Sequence, residues 1–151
     1  MELDLITVRK ASAGDAHLIA GLGAKVFSQA FAAQNSTENM ALYLAEAFSP
    51  FKQARELAEP GGTFFIIEHD NTPAGYARLQ DGSKRTYITG ANPIELVRFY
   101  VLQEWVGKGV AAILMKACLD EVKKCGYDVI WLSAWKENPR AIAFYRDLPP
   151  V

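Results

Sequence analysis

Gly107-Lys108-Gly109 separates an extended apolar stretch at residues 94–101 from an amphipathic one that begins at Val110. Glycines allow a backbone to approach a ligand closely, and the unpaired N–H groups of a helix start point outward at an anion. A pyrophosphate is the guest such a strand–turn–helix unit suits best; the alternative is an ordinary tight turn. Gly107-x-Gly109-x-x-Ala112 formally satisfies a dinucleotide fingerprint. Its context argues otherwise: residues 102–106 separate the strand from the first glycine, and residues 113–151 are too few for the second half of a dinucleotide fold. No Gly-Lys is followed by Ser or Thr, so the Walker motif fails outright. A third kind of phosphate site remains.

Metal and thiol chemistry have little material. His17 and His69 are the two histidines, and neither has ligand-like spacing around it. Cys118 and Cys125 are seven residues apart on one helical stripe, about 10.5 Å of rise. That exceeds disulfide reach, so both are expected as free thiols in the core of a protein from a reducing cytoplasm.

The elements that must position the turn read as follows. Residues 3–9 alternate apolar and polar as a first strand. Ser12 and Asp15 open a helix whose apolar positions run from Ala16 to Phe31. Asn35 with Glu38 has capping spacing ahead of a helix at 40–48, and Ser49-Pro50 starts a short helix through Leu57. Pro60-Gly61-Gly62 ends it. Residues 63–68 and 74–80 form a hairpin around a turn at 69–73, and 81–93 is a long loop. After the strand at 94–101, apolar residues at Val110, Ile113, Leu114, Ala117, Cys118, Val122 and Cys125 mark one helix face, with Gly126 as its stop. Residues 129–135 read as a strand buried on both sides. Asn138-Pro139 then caps a last helix through Arg146. The pattern β-α-α-β-β-β-α-β-α predicts one α/β domain over residues 1–151, an α/β sandwich around a mixed sheet.

Composition narrows the partners. Sixteen basic and seventeen acidic residues give a net charge of −1 over 151 residues, without the basic excess of a nucleic-acid or polybasic membrane binder. No apolar run approaches the roughly 20 residues of a membrane span, and acids at Glu2 and Asp4 stand where a signal peptide carries bases.

Val106-Gly107-Lys108-Gly109-Val110-Ala111 resembles the (Gln/Arg)-x-x-Gly-x-(Gly/Ala) motif of the GNAT superfamily of acetyl-CoA-dependent N-acetyltransferases. Asn138-Pro139-Arg140-Ala141-Ile142-Ala143-Phe144-Tyr145 matches its second signature, Asn-x-x-Ala-x-x-Phe-Tyr. The two lie a helix and a strand apart, and together they are more specific than either alone. Residues 26–31, 39–50 and 131–145 look most like the PaiA-type subgroup, which includes polyamine acetyltransferases, so the resemblance spans almost the whole chain.

The resemblance implies a mostly antiparallel sheet splayed where acetyl-CoA enters. Backbone groups of Phe99, Tyr100 and Val101 would pair with the pantetheine arm, and an amide near Val101 would polarise the thioester carbonyl. The amides of 106–111 would hold the pyrophosphate, and Asn138 the far side of the arm. A small-molecule amine, such as a polyamine, would attack directly. Glu95 would serve as general base, and Tyr145 as the acid that protonates the departing thiolate. No metal is implied. Bland alternatives stand beside these roles: Asn138 as a helix cap, Tyr145 as a core aromatic, and Glu95 as a solvated carboxylate or the partner of a neighbour such as Arg98.

Val106 stands where the motif has Gln or Arg, a position that chiefly offers its backbone amide. The family continues past Tyr145 into Gly-Phe and two further strands, whereas this sequence reads Arg146-Asp147-Leu148-Pro149-Pro150-Val151. Without that hairpin an apolar edge would be open, which predicts a homodimer joined near Trp131, Trp135 and Phe144. It also leaves a second expectation: a catalytically impaired CoA-binding module acting through association.

Overall fold

The computed structural model describes residues 5–31, 37–82 and 92–132. Strand β1 (Ile6–Lys10) leads through a short 3-10 turn into α1 (Ala16–Phe31). The entry is fixed by Asp15, whose carboxylate accepts the Ser12 backbone N–H at 2.8 Å and both terminal nitrogens of Arg9 at 2.9 Å. The hydrogen bonds from Arg9 hold the Asp15 carboxyl down at about 2, below its ordinary 3.8. A carboxyl depressed on folding stabilises the native state above its unfolded pKa, and the gain disappears as pH falls through the folded value. Denaturant titrations should therefore show stability declining from about pH 4 towards pH 2, and Asp15→Asn should flatten that decline. An unchanged pH slope in the variant would contradict the assignment.

Helices α2 (Thr37–Ala47) and α3 (Pro50–Leu57) follow. Ser49 caps α3, its hydroxyl accepting the Lys52 N–H at 3.1 Å, with Pro50 in the first turn where a missing N–H is harmless. Strands β2 (Gly62–His69) and β3 (Thr72–Asp81) then form a hairpin. Its turn residues Asp70 and Asn71 both have positive φ, 49° and 67°; these are residue types that tolerate the left-handed region, and the primed turn matches strand twist. Strand β4 (Pro93–Val101), helix α4 (Val110–Lys124) and β5 (Val129–Trp131) complete the described chain.

The sheet order is β1-β2-β3-β4-β5, antiparallel throughout except for the parallel β4–β5 pair. This is the mixed, mostly antiparallel α/β sheet expected, and α3 forms where Ser49-Pro50 was read as starting a short helix. Apolar side chains cover both faces. Phe65, Ala77, Leu79 and Leu96 pack under Leu114 and Val122 of α4, while Phe64, Ile66 and Tyr76 pack against Ile19 and Leu22 of α1.

Two expectations change. Cys118 is buried, but Cys125 is exposed, because it occupies the helix C-cap where the apolar stripe has run out. Both thiols are free. In β5 only Trp131 is buried, and Val129 and Ile130 are partly covered. Trp131 itself is 8% exposed. Trp135, Phe144 and the last helix expected at 138–146 lie outside the described residues, as does most of the 81–93 loop. Among the described residues no helix is long and apolar enough to cross a membrane.

Candidate active site

The turn between β4 and α4 is built from the backbone. Leu102 donates its N–H to Ala74 O at 2.9 Å, and residues Gln103–Trp105 form a 3-10 turn that Val106 closes by donating to Gln103 O at 3.2 Å. Gly107 and Gly109 then take φ of 81° and 86°, a region costly for any residue with a Cβ. Gly109 is the N-cap of α4, and its carbonyl accepts from Ile113 at 3.3 Å. Among the described residues, the amides of Gly107, Lys108, Gly109, Val110, Ala111 and Ala112 reach no backbone acceptor. The result is a row of outward N–H groups at the positive end of a 15-residue helix. Val106 was expected to add its amide to this row, but the 3-10 turn takes that N–H, so the row begins at Gly107.

Side chains hold this turn in place. Val110 and Leu114 are fully buried beneath it. The Trp105 ring lies 5.0 Å from His69 at the end of β2 and 5.6 Å from Lys108 Nζ. That cation–π contact keeps one positive charge beside the amide row.

Strand β4 carries an irregularity that no local pattern announces. Arg98 pairs with Arg78 and Leu96 pairs with Leu79, so Val97 is an extra residue with no counterpart on β3. Such a bulge bends the strand and resets which way its groups point. Beyond it, the Leu102–Ala74 bond fixes the alternation. Arg98 and Tyr100 turn their backbone groups to β3, and Phe99 and Val101 turn theirs the other way, towards the β5 side. The described β4–β5 ladder spans Pro93 to Glu95 against Val129 to Trp131. Of the three residues expected to line the arm with backbone groups, Phe99 and Val101 face the right edge. Tyr100 does not: its backbone belongs to the β3 ladder, and its ring packs edge-on against Tyr76 at 5.4 Å and Phe48 at 6.3 Å.

Glu95 lies opposite Gln80 and beside Trp131, half-buried, on the sheet face away from α4. It makes no hydrogen bond or ion pair among the described residues. In particular it does not pair with Arg98, the neighbour that sequence proximity offers. Arg98 instead forks onto Glu56 of α3 at 2.8 and 2.9 Å and also donates to Gln53 Oε1 at 3.2 Å. Gln53, fully buried, donates to Ala47 O at 3.2 Å. Arg78 reaches Glu56 at 3.2 Å. Burial pushes the Glu56 carboxyl up, but the hydrogen bonds from Arg98 and the charges of Arg98 and Arg78 outweigh it, and the group stays below its ordinary range. This network was not expected; the signal for it was a pair of arginines embedded in the apolar strands ARL and VRF. Asn138 and Tyr145 lie outside the described residues. Among those residues no group of His, Cys, Asp and Glu could hold a metal ion.

Comparison with known proteins supplies the context. The model of the Acetyltransferase (GNAT) family matches residues 26–148. An uncharacterised N-acetyltransferase of Mycobacterium tuberculosis is 30% identical over 131 residues, covering 87% of this chain and 80% of its own. One from Lactobacillus delbrueckii subsp. lactis is 27% identical over 121 residues, covering 80% and 70% respectively. Among solved structures, the PaiA N-acetyltransferase of Thermoplasma acidophilum in complex with coenzyme A has a TM-score of 0.79 at 23% identity, over 93% of this chain and 86% of that one. An aminoglycoside acetyltransferase from an uncultured soil metagenomic sample, in complex with sisomicin, has a TM-score of 0.75 at 16% identity, over 99% and 91%.

Proposed function

The chain belongs to the GNAT family of acetyltransferases, and from that premise we propose that it moves the acetyl group of acetyl-CoA onto a primary amine of a small molecule, a polyamine being the first class to test. The observation that carries this reading is the amide row from Gly107 to Ala112, opened by two glycines of positive φ at the start of α4. A pyrophosphate fits it: the donors are backbone N–H groups, the helix end is positive, and Lys108 adds a charge.

In this reading the amine nitrogen attacks the thioester carbonyl carbon directly. The C–N bond forms, the carbonyl oxygen gathers negative charge, and the C–S bond then breaks. The Val101 amide, turned away from β3, donates to that oxygen. Glu95 removes a proton from the incoming ammonium, directly or through water. Asn138 steadies the arm, and Tyr145 gives its proton to the leaving thiolate. The free thiols of Cys118 and Cys125 agree with a cytoplasmic setting.

The test has two stages. Acetyl-CoA should raise the melting temperature, since a ligand of the native state stabilises it by RT ln(1 + [L]/Kd). Gly109→Val should abolish that rise, because a branched side chain strains φ 86° and thickens the turn where the backbone must approach the ligand. A thiol-release screen over polyamines and other primary amines then identifies the acceptor. Undiminished acetyl-CoA binding by the Gly109→Val protein would remove the turn from the site, and binding without thiol release for any amine would reduce the protein to a binding module.

A further inference from the structure

We propose that Arg98 and Glu56 are positioning residues for acetyl transfer, holding the β4 segment after the bulge so that the Val101 amide meets the thioester oxygen; this rests on the acetyltransferase reading above. Gln53, Glu56, Arg78 and Arg98 fill a place between α3 and the sheet that apolar side chains of similar volume would fill at no loss of stability. What apolar contacts lack is direction. A guanidinium fork closed by two bonds on one carboxylate, 2.8 and 2.9 Å, and a third on Gln53 at 3.2 Å, fixes the orientation of its plane as well as its distance.

Its location in the chain gives that direction a use. Arg98 is the first residue after the bulged Val97, and a bulge is where a strand loses the register that would otherwise set its rotation. The fork restores it three residues before Val101. The other end of the network reaches the α2–α3 junction, where Gln53 donates to Ala47 O at 3.2 Å. The aromatic rings beside it, Phe48 and Tyr100, connect the same junction to β4 at 6.3 Å. Helices α2 and α3 and the bulged strand are thereby held as one unit. An amide that must point at a developing charge needs such support, because a misaimed donor loses transition-state stabilisation while ground-state binding survives.

Arg98→Lys tests this, since it keeps the charge and the stem and removes the fork. The melting temperature should move by a few degrees at most, and KM for acetyl-CoA should stay within about twofold. By contrast, kcat should fall by about 10- to 100-fold, the range expected when a catalytic group is slightly misplaced. The amide ¹⁵N–¹H resonances of Phe99 and Val101 should shift, while those of β1 stay in place. A purely structural role predicts the opposite split: a lower melting temperature with kcat per folded molecule unchanged and the Val101 resonance unmoved, and that result overturns the proposal. Should the wild-type protein turn over no amine, the reading above fails on its own account, and the resonances alone decide whether Arg98 sets the strand. If Arg98→Lys does not fold, Gln53→Met, which removes one of the three bonds on the fork, carries the same comparison.

Discussion

Glu56→Gln is expected to lower the stability of the fold by about 3–5 kcal/mol, the typical cost of removing one partner from a buried ion pair. Arg78 and Arg98 face each other across the β3–β4 ladder, with side chains only 11% and 14% exposed. Like charges directly opposite in a sheet repel. Glu56 sits between them, accepting two hydrogen bonds from Arg98 at 2.8 and 2.9 Å and forming an ion pair with Arg78 at 3.2 Å. Glutamine keeps the shape but brings no charge and only one acceptor oxygen, so the repulsion would be countered only by the weaker attraction of Glu59 and Glu95 for Arg78. Against a typical total of about 5–15 kcal/mol, the loss is a large share. The pH dependence has a definite sign. Because folding depresses the Glu56 carboxyl, its contribution is present above the unfolded pKa and disappears as pH falls through the folded value. The variant should therefore lose most stability at neutral pH and less in acid. Urea denaturation at pH 7 and pH 3 checks both halves, and a variant as stable as the parent at pH 7 would show that the two arginines are solvated well enough to need no bridge.

Tyr145→Phe should lower kcat by about 10²–10⁴-fold, the usual range for losing a general acid, with little change in acetyl-CoA affinity. The ring remains, so any core packing by this residue is preserved and only the proton is removed. Other phenols near the proposed site are poor substitutes. Burial raises the Tyr76 hydroxyl well above its ordinary range, and its oxygen lies beside Gly23, while burial also raises Tyr100. Neither is suited to deliver a proton to a thiolate. Steady-state kinetics with the amine found by the screen, together with calorimetric titration of acetyl-CoA, separates the two quantities. Unchanged turnover would return Tyr145 to a core aromatic on the helix expected at 138–146.

Much of this protein is written in short-range chemistry. Ser49-Pro50 starts a helix because a hydroxyl and an absent N–H both suit the first turn, and it does so here. The apolar stripe from Val110 to Val122 specifies the face that α4 buries, and Gly107 and Gly109 permit the φ values that aim the amides. Those features involve residues within a few positions of each other, so spacing alone determines them. The bulge at Val97 is different, because an extra residue exists only relative to the strand opposite, and nothing in IELVRFYV counts the residues of β3. The Val106 amide, too, goes to a turn whose Trp105 packs against His69 of a distant strand. Arg98 shows the limit most clearly. Sequence offers it Glu95 three residues away; the fold gives it Glu56, 42 residues distant, because helix α3 packs across that face of the sheet. Which charges meet in a core is decided by packing between remote segments, and local spacing carries no record of it.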